Sequence, residues 1–223
     1  MRLFKKLFFA LALCAVAAGA SASPEAPVAG KEYLVLPGVQ NTDAGKKVEV
    51  TEFFSYACPH CNAFEPMLAA WAKKNQNKIV FKRVHLAFSA SELSLQRLYA
   101  TLEGMGVAEQ YHAKVFESIH VKRERMSSDE AVFEWAGKAG LDRTKLSDAY
   151  RSFGTQARVN RAKSMSDAYR IHEWPTIAID GRFVTSPHQV GSAVSPELGE
   201  AEGQQAALKV MDYLVARTLA EKK

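Results

Sequence analysis

The chain has 223 residues, 48% hydrophobic and 24% charged, with 29 basic against 24 acidic side chains and three cysteines. That length suits one domain, or one domain with a large insertion, and the composition can bury a core. So few cysteines exclude a disulfide-dense scaffold, and the lack of a basic run, RNP-like or zinc-finger pattern leaves no argument for nucleic acid.

Arg2, Lys5 and Lys6 precede an apolar run from Leu7 to Ala18, and Ala20-Ser21-Ala22 follows before Ser23. This is the pattern of a secretory signal over residues 1–22 with an A-x-A cleavage site. The 12-residue run is short of the roughly 20 residues a membrane span needs. Leu13 stands before Cys14, where a lipidation signal wants a small residue. Removing residues 1–22 takes away three basic and no acidic side chains, so the net charge falls from +5 to +2. It also removes Cys14, which leaves an exported chain whose only cysteines are Cys58 and Cys61.

In the mature chain, residues 23–31 read as a flexible leader and Tyr33 to Leu36 as a short edge strand closed by Pro37-Gly38. Val48 to Phe54 turns wholly apolar at its end, as a strand in the middle of a sheet does. Pro59 at a first helical position, with Phe64, Met67, Leu68 and Trp71 at spacings of three and four, predicts a helix to about Asn75. Cys58 therefore sits at a helix N-terminus, where free N–H groups and the macrodipole favour an anion. Lys78 to Leu86 alternates and completes a β-α-β unit with parallel pairing.

Strand signals then stop for about 85 residues. Leucines at 93, 95, 98 and 102, the stripe Tyr111, Val115, Phe116 and Ile119, a capping box at Ser127–Glu130, a cap at Asp142 and a stripe from Val159 to Tyr169 predict a block of about five helices. Thr176 to Asp180 and Arg182 to Thr185 read as a hairpin turned by Asp180-Gly181, Ser186 to Gly203 as a loop, and Gln204 to Glu221 as a final helix. A β-α-β unit followed by a β-β-α unit is the thioredoxin arrangement, here with an all-helical domain spliced between its halves. The fold class is thus α/β, with boundaries expected at 23–88, 89–171 and 172–223.

Chemistry concentrates at Cys58-Pro59-His60-Cys61. Two thiols at this spacing can close into a disulfide, hold half a zinc site, attach haem when His follows directly, or act as a staple. Asn62 after Cys61 removes the haem signature, and a four-residue loop gains little as a staple. An ordinary thiol is only about 3% thiolate at pH 7. The helix N-terminus and a protonated His60 both stabilise the anion, and with it the reduced form, so the disulfide becomes a better oxidant. His60 as a zinc ligand would need a fourth group, and His85, His112, His120, His172 and His188 show no paired spacing and read as surface or boundary residues. Glu52 is either a buried proton acceptor for Cys61 or an exposed strand-end residue.

Glu52-Phe53-Phe54-Ser55 before this motif, the long helical insertion, and Trp174-Pro175-Thr176 before the hairpin resemble the DsbA family of bacterial periplasmic thiol:disulfide oxidoreductases. The resemblance implies a periplasmic oxidant of reduced, unfolded exported proteins, reoxidised by a quinone-linked membrane partner of the DsbB type, with no metal or organic cofactor. It implies Cys58 as the exposed nucleophile, Cys61 as the buried resolving cysteine, and a redox-active disulfide between them. Pro59 and His60 would be the variable dipeptide, Pro175 a cis-proline facing the disulfide, and Glu52 a buried acid with Lys82 as partner, or Arg83 one residue on. Trp174, Pro175, Thr176 and His60 would meet substrate. Trp174 departs from the Val or Thr more usual before the cis-proline, which touches substrate range and not the chemistry. Nothing demands more than a monomer. A disulfide isomerase or reductase is the alternative within the chemistry, and a metal-binding or chaperone module of the envelope the alternative outside it.

Overall fold

The computed structural model describes residues 23–222; the signal expected over residues 1–22 lies outside the described residues. In chain order the elements are β1 (Leu34–Val35), β2 (Val48–Phe54), α1 (Pro59–Asn75), β3 (Ile79–His85), α2 (Leu93–Gly104), α3 (Ala108–Phe116), α4 (Asp129–Lys138), α5 (Arg143–Tyr150), α6 (Phe153–Tyr169), β4 (Thr176–Ile179), β5 (Phe183–Thr185), α7 (Pro187–Val194) and α8 (Glu200–Glu221). The strands form one sheet in the order β1-β5-β4-β2-β3. β2 and β3 are parallel, as the helix crossover between them requires, and the other pairs are antiparallel.

All seven residues of β2 are buried because both sheet faces are covered. On one face Val48 and Val50 share a core with Phe64, Leu68 and Trp71 of α1 and Val210, Met211 and Leu214 of α8. On the other, Phe53 packs with Tyr169 and Ile171 at the end of α6. Alternation places Glu52 and Phe54 on the α1 face. The parallel register pairs Glu52 with Arg83 and Thr51 with Lys82, so Arg83 shares that face and Lys82 does not.

Helices α2 to α6 enclose a core of their own around Leu98, Leu102, Val115, Val132 and Leu146, and the same core runs on through Phe54 and Tyr56 to Cys58 and Cys61. The cysteine pair therefore lies on the seam between the sheet and the helical segment. The helix starts are built from local chemistry: Ser128 Oγ accepts from Ala131 N–H at 3.3 Å and Asp142 Oδ1 from Lys145 N–H at 3.0 Å. At the hairpin Asp180 and Gly181 both have positive φ, 51° and 65°, the signature of a type I′ turn. Gly181 is required there, since a Cβ would sit 2.1 Å from the Gln40 carbonyl oxygen.

Two expectations are corrected. The segment Ser186 to Gly203 is not wholly a loop: it contains α7, capped by Ser186 Oγ accepting from Gln189 N–H at 3.0 Å, and α8 begins at Glu200. The glycines that suggested a loop instead let two helices approach, for a Cβ on Gly203 would meet the Pro187 carbonyl oxygen at 3.3 Å. Nor is the leader free along its length. Val28 N–H donates to Glu32 Oε2 at 2.9 Å, and Thr185 Oγ1 donates to the Glu32 carbonyl at 2.7 Å, with Glu32 fully buried.

Candidate active site

Cys58 is the N-cap of α1, with extended backbone, and Pro59 follows at the first helical position. Its sulfur occupies the place of a capping oxygen: Cys61 N–H donates to Cys58 Sγ at 3.2 Å. Both cysteines are free thiols. Cys61 is fully enclosed, and Cys58, expected to be exposed, is only 4% exposed. It is covered because the chain before β4 folds back over the helix start, where the Cys58 thiol donates to the Trp174 carbonyl oxygen at 3.7 Å. The Trp174-Pro175 peptide bond is cis. Trp174 stacks on Phe88 with ring centroids 4.0 Å apart, and Phe88 is half exposed. Thr176 is buried, its hydroxyl donating to the Glu173 carbonyl at 2.8 Å.

The two thiols are electrostatically unequal. Hydrogen bonding from the Cys61 thiol, together with backbone N–H groups of Cys61 and His60 and the charge of His60, holds Cys58 below the ordinary thiol range against the opposing effect of burial. Burial, then the Cys58 sulfur and Glu52, push Cys61 far above it. His60 points outward: its Nδ1 lies 2.8 Å from Glu200 Oε1 at the start of α8. With Trp174, Pro175, His188 and Glu200 it lines a groove of about 530 Å³.

Glu52 is buried beneath the helix start, and Arg83 is its partner. Arg83 Nε donates to Glu52 Oε2 at 3.1 Å, Nη2 to Glu65 Oε1 at 2.8 Å and Nη1 to Glu109 Oε1 at 2.6 Å. Lys82, the partner first expected, instead binds Asp43 and Glu49 from the opposite face, at 2.7 Å to Glu49. The reason is parity: neighbouring residues of a strand point to opposite faces. Burial, then the charge of Glu65, raise the Glu52 carboxyl to about 8, with Arg83 opposing. Glu52 is thus protonated near neutral pH.

The histidines expected at the surface divide. His85 and His112 are buried around Tyr56, two residues before Cys58. Tyr56 N–H donates to His85 Nε2 at 2.9 Å, Tyr56 Oη pairs with His112 Nδ1 at 3.0 Å, and the Tyr56 carbonyl lies 2.8 Å from His120 Nε2. Burial, then His112, push His85 down to about 3, so it stays neutral and fixes the backbone before the motif. His112 Nε2 also lies 3.2 Å from Glu65 Oε2, out of line for a hydrogen bond. The sequence signal for this trio was only that Phe54 and Tyr56 alternate onto the face that the helices cover. Among the described residues no group of three or more His, Cys, Asp or Glu side chains is placed to hold a metal ion.

Comparison with known proteins agrees with this geometry. The family profile described as DSBA-like thioredoxin domain matches residues 49–195. The thiol:disulfide interchange protein DsbA of Bordetella parapertussis is 37% identical over 209 residues, covering 93% of this chain and 95% of the relative. That of Pseudomonas aeruginosa is 31% identical over 205 residues and covers 92% of each. The crystal structure of Pseudomonas aeruginosa DsbA superposes with a TM-score of 0.77 at 30% identity, covering 87% of this chain and 95% of that one. DsbA from Xylella fastidiosa gives 0.76 at 25% identity over 87% of this chain and 98% of its own.

Proposed function

Because the chain belongs to the family of DSBA-like thioredoxin-domain proteins and is a thiol:disulfide oxidoreductase, we propose that it runs as a disulfide donor to reduced, unfolded exported proteins in the periplasm. The observation that carries this reading is the inequality of the two sulfurs. Cys58 caps a helix and is held acidic, whereas Cys61 lies in an apolar interior that disfavours its anion.

In the proposed reaction a substrate thiolate attacks Cys58 Sγ and breaks the Cys58–Cys61 bond, and the electron pair leaves on Cys61. Buried Cys61 cannot remain an anion, so it takes a proton, and Glu52, protonated near neutrality, supplies it. A second substrate thiolate then attacks the substrate sulfur of the mixed disulfide, and Cys58 departs as a stabilised thiolate. Two electrons pass from the substrate dithiol to the enzyme, and the substrate gains one disulfide. Reoxidation by a DsbB-type membrane partner runs the bond changes in reverse, with the Glu52 carboxylate accepting the Cys61 proton. Pro175 and the Trp174 backbone would face the substrate chain over Cys58, with Thr176 supporting the turn and Pro59 setting the helix start.

Equilibration with glutathione buffers, followed by transfer to a reduced unfolded protein, tests the direction. A donor comes out more oxidising than glutathione and transfers its disulfide stoichiometrically. A potential as reducing as thioredoxin's would refute the donor role and favour a reductase or isomerase.

Trp174 is the expected determinant of substrate range. Trp174→Val removes the indole stacked on Phe88 but leaves the backbone over Cys58, so the glutathione equilibrium stays where it is. The ratio of kcat/KM between substrates with bulky and with small residues beside the reacting cysteine shifts toward the bulky ones, by up to about tenfold, the worth of one aromatic contact. An unchanged ratio would remove Trp174 from the specificity argument.

A further inference from the structure

The redox motif is tied to the far end of the chain. His60 Nδ1 lies 2.8 Å from Glu200 Oε1, across 140 residues of sequence, and Glu200 is the first residue of α8. A carboxylate in the first turn of a helix is favoured by the unpaired N–H groups and dipole there. Glu200 Oε1 also accepts from Gln204 Nε2 at 3.2 Å, so its carboxylate is held from its own helix while it faces His60.

We propose that Glu200 is a positioning residue for disulfide exchange: it anchors the imidazole of His60 and keeps it cationic beside Cys58, so that α8 sets how far up the pH scale the enzyme remains a strong oxidant. This deepens the donor reading above and rests on it.

The groups facing His60 can be stated. From α8 there is Glu200; from its own helix start there is Cys58. From the segment before β4 comes Glu173 and from α7 His188, both lining the same groove. Glu173 is engaged elsewhere: Ser186 Oγ donates to its Oε1 at 2.5 Å, and its Oε2 lies 3.4 Å from His188 Nδ1. Glu200 is therefore the carboxylate in contact with His60. Its hydrogen bond, with its charge and that of Cys58 adding to it, raises the His60 imidazole above the ordinary histidine range. His60 in turn helps to lower Cys58.

The linkage has a definite sign. The reduced enzyme holds a Cys58 thiolate and the oxidised enzyme does not, so a cationic His60 stabilises the reduced form and makes the disulfide more oxidising. That contribution is present while His60 is protonated and is lost as pH rises through its titration. Raising the titration carries the oxidising potential to higher pH.

Glu200→Gln keeps a side-chain oxygen that can accept from His60 but removes the charge. The experiment follows the His60 ring resonances by NMR from pH 5 to 9 in both redox states and measures the glutathione equilibrium constant at each pH. The expected result is that the His60 midpoint moves to lower pH in both states. The pH at which the equilibrium constant bends moves down with it, and Glu200→Asp restores part of both shifts. Because Glu200 could simply hold α8 in place, thermal unfolding is measured alongside. A lower Tm with His60 midpoint and bend unmoved would overturn the proposal, as would a fall in the midpoint with no change in the bend. The donor reading fails on the absolute equilibrium constant of the native protein, whereas this inference fails on its pH dependence in the variant.

Discussion

Cys58→Ala abolishes disulfide transfer, with a loss of at least about a thousandfold measured on a reduced unfolded protein, because the remaining described thiol, Cys61, is fully enclosed and has no partner with which to form a disulfide to donate. Cys61→Ala gives the complementary phenotype. Without Cys61 there is no internal disulfide to donate, but the Cys58 thiolate still attacks a disulfide-bonded protein and expels one of its sulfurs as thiolate. With no Cys61 to attack Cys58 and release it, the mixed disulfide accumulates and is visible on a non-reducing gel. Loss of the Cys61 thiol also removes the largest influence that makes Cys58 acidic. The pH dependence of Cys58 alkylation therefore moves to higher pH in Cys61→Ala than in the reduced native protein. An alkylation profile that stays in place would mean that the helix N-terminus and His60 set the acidity without the Cys61 thiol.

Arg83→Met should be the most destabilising charge substitution near the site. The Arg83 side chain is 3% exposed and Glu52 1%, with Glu65 at 13%, so removing the guanidinium leaves two enclosed carboxyl groups without their cation. Breaking a buried pair in this way costs about 3 to 5 kcal/mol, a fall of roughly 10 °C in Tm for a chain of this size. The third contact, to Glu109, contributes little, since that side chain is 79% exposed. The loss depends on pH with a definite sign. Glu52 is already raised in the folded chain, so the unfolded chain releases its proton first and stability falls as pH rises from about 4.5 toward 8. Arg83 opposes that rise, and its removal extends the fall to higher pH. Denaturant midpoints at pH 5 and pH 8 check this: the variant should differ least from the native protein at pH 5 and most at pH 8. Equal losses at both would mean that packing, not charge, is what Arg83 supplies. Arg83→Lys, which keeps charge but not the three-way fork, should fall between the two.

Much of the site was legible because its signals are local. Pro59 after Cys58 announces a helix start, and a helix start dictates both the cap geometry and the preference for an anion on the sulfur. The parallel pairing of β2 and β3 followed from the length of the crossover, and the hairpin from Asp180-Gly181. These are properties of neighbouring residues, and each stands in the structure where the sequence puts it.

What the sequence could not decide was anything that turns on register or on distant packing. Glu52 was readable as a buried acid, yet its partner was not, because Lys82 and Arg83 are adjacent and a one-residue slip exchanges the two faces of a strand. Only the alignment of β2 with β3 selects Arg83. Gly191 and Gly203 read as loop residues, and only the docking of α7 on α8 shows that they allow two helices to approach. His85 and His112 carried no pattern until the helical segment closed over Tyr56. Glu200 lies 140 residues from His60 and joins it only because α8 starts beside the groove. The sequence by itself determined where the cysteine pair stands, the helix that carries it and the order of the elements, since those rest on local backbone preference and hydrophobic period. The tertiary structure decided which charges meet, because a side chain's partner depends on face, register and burial, which no local pattern encodes.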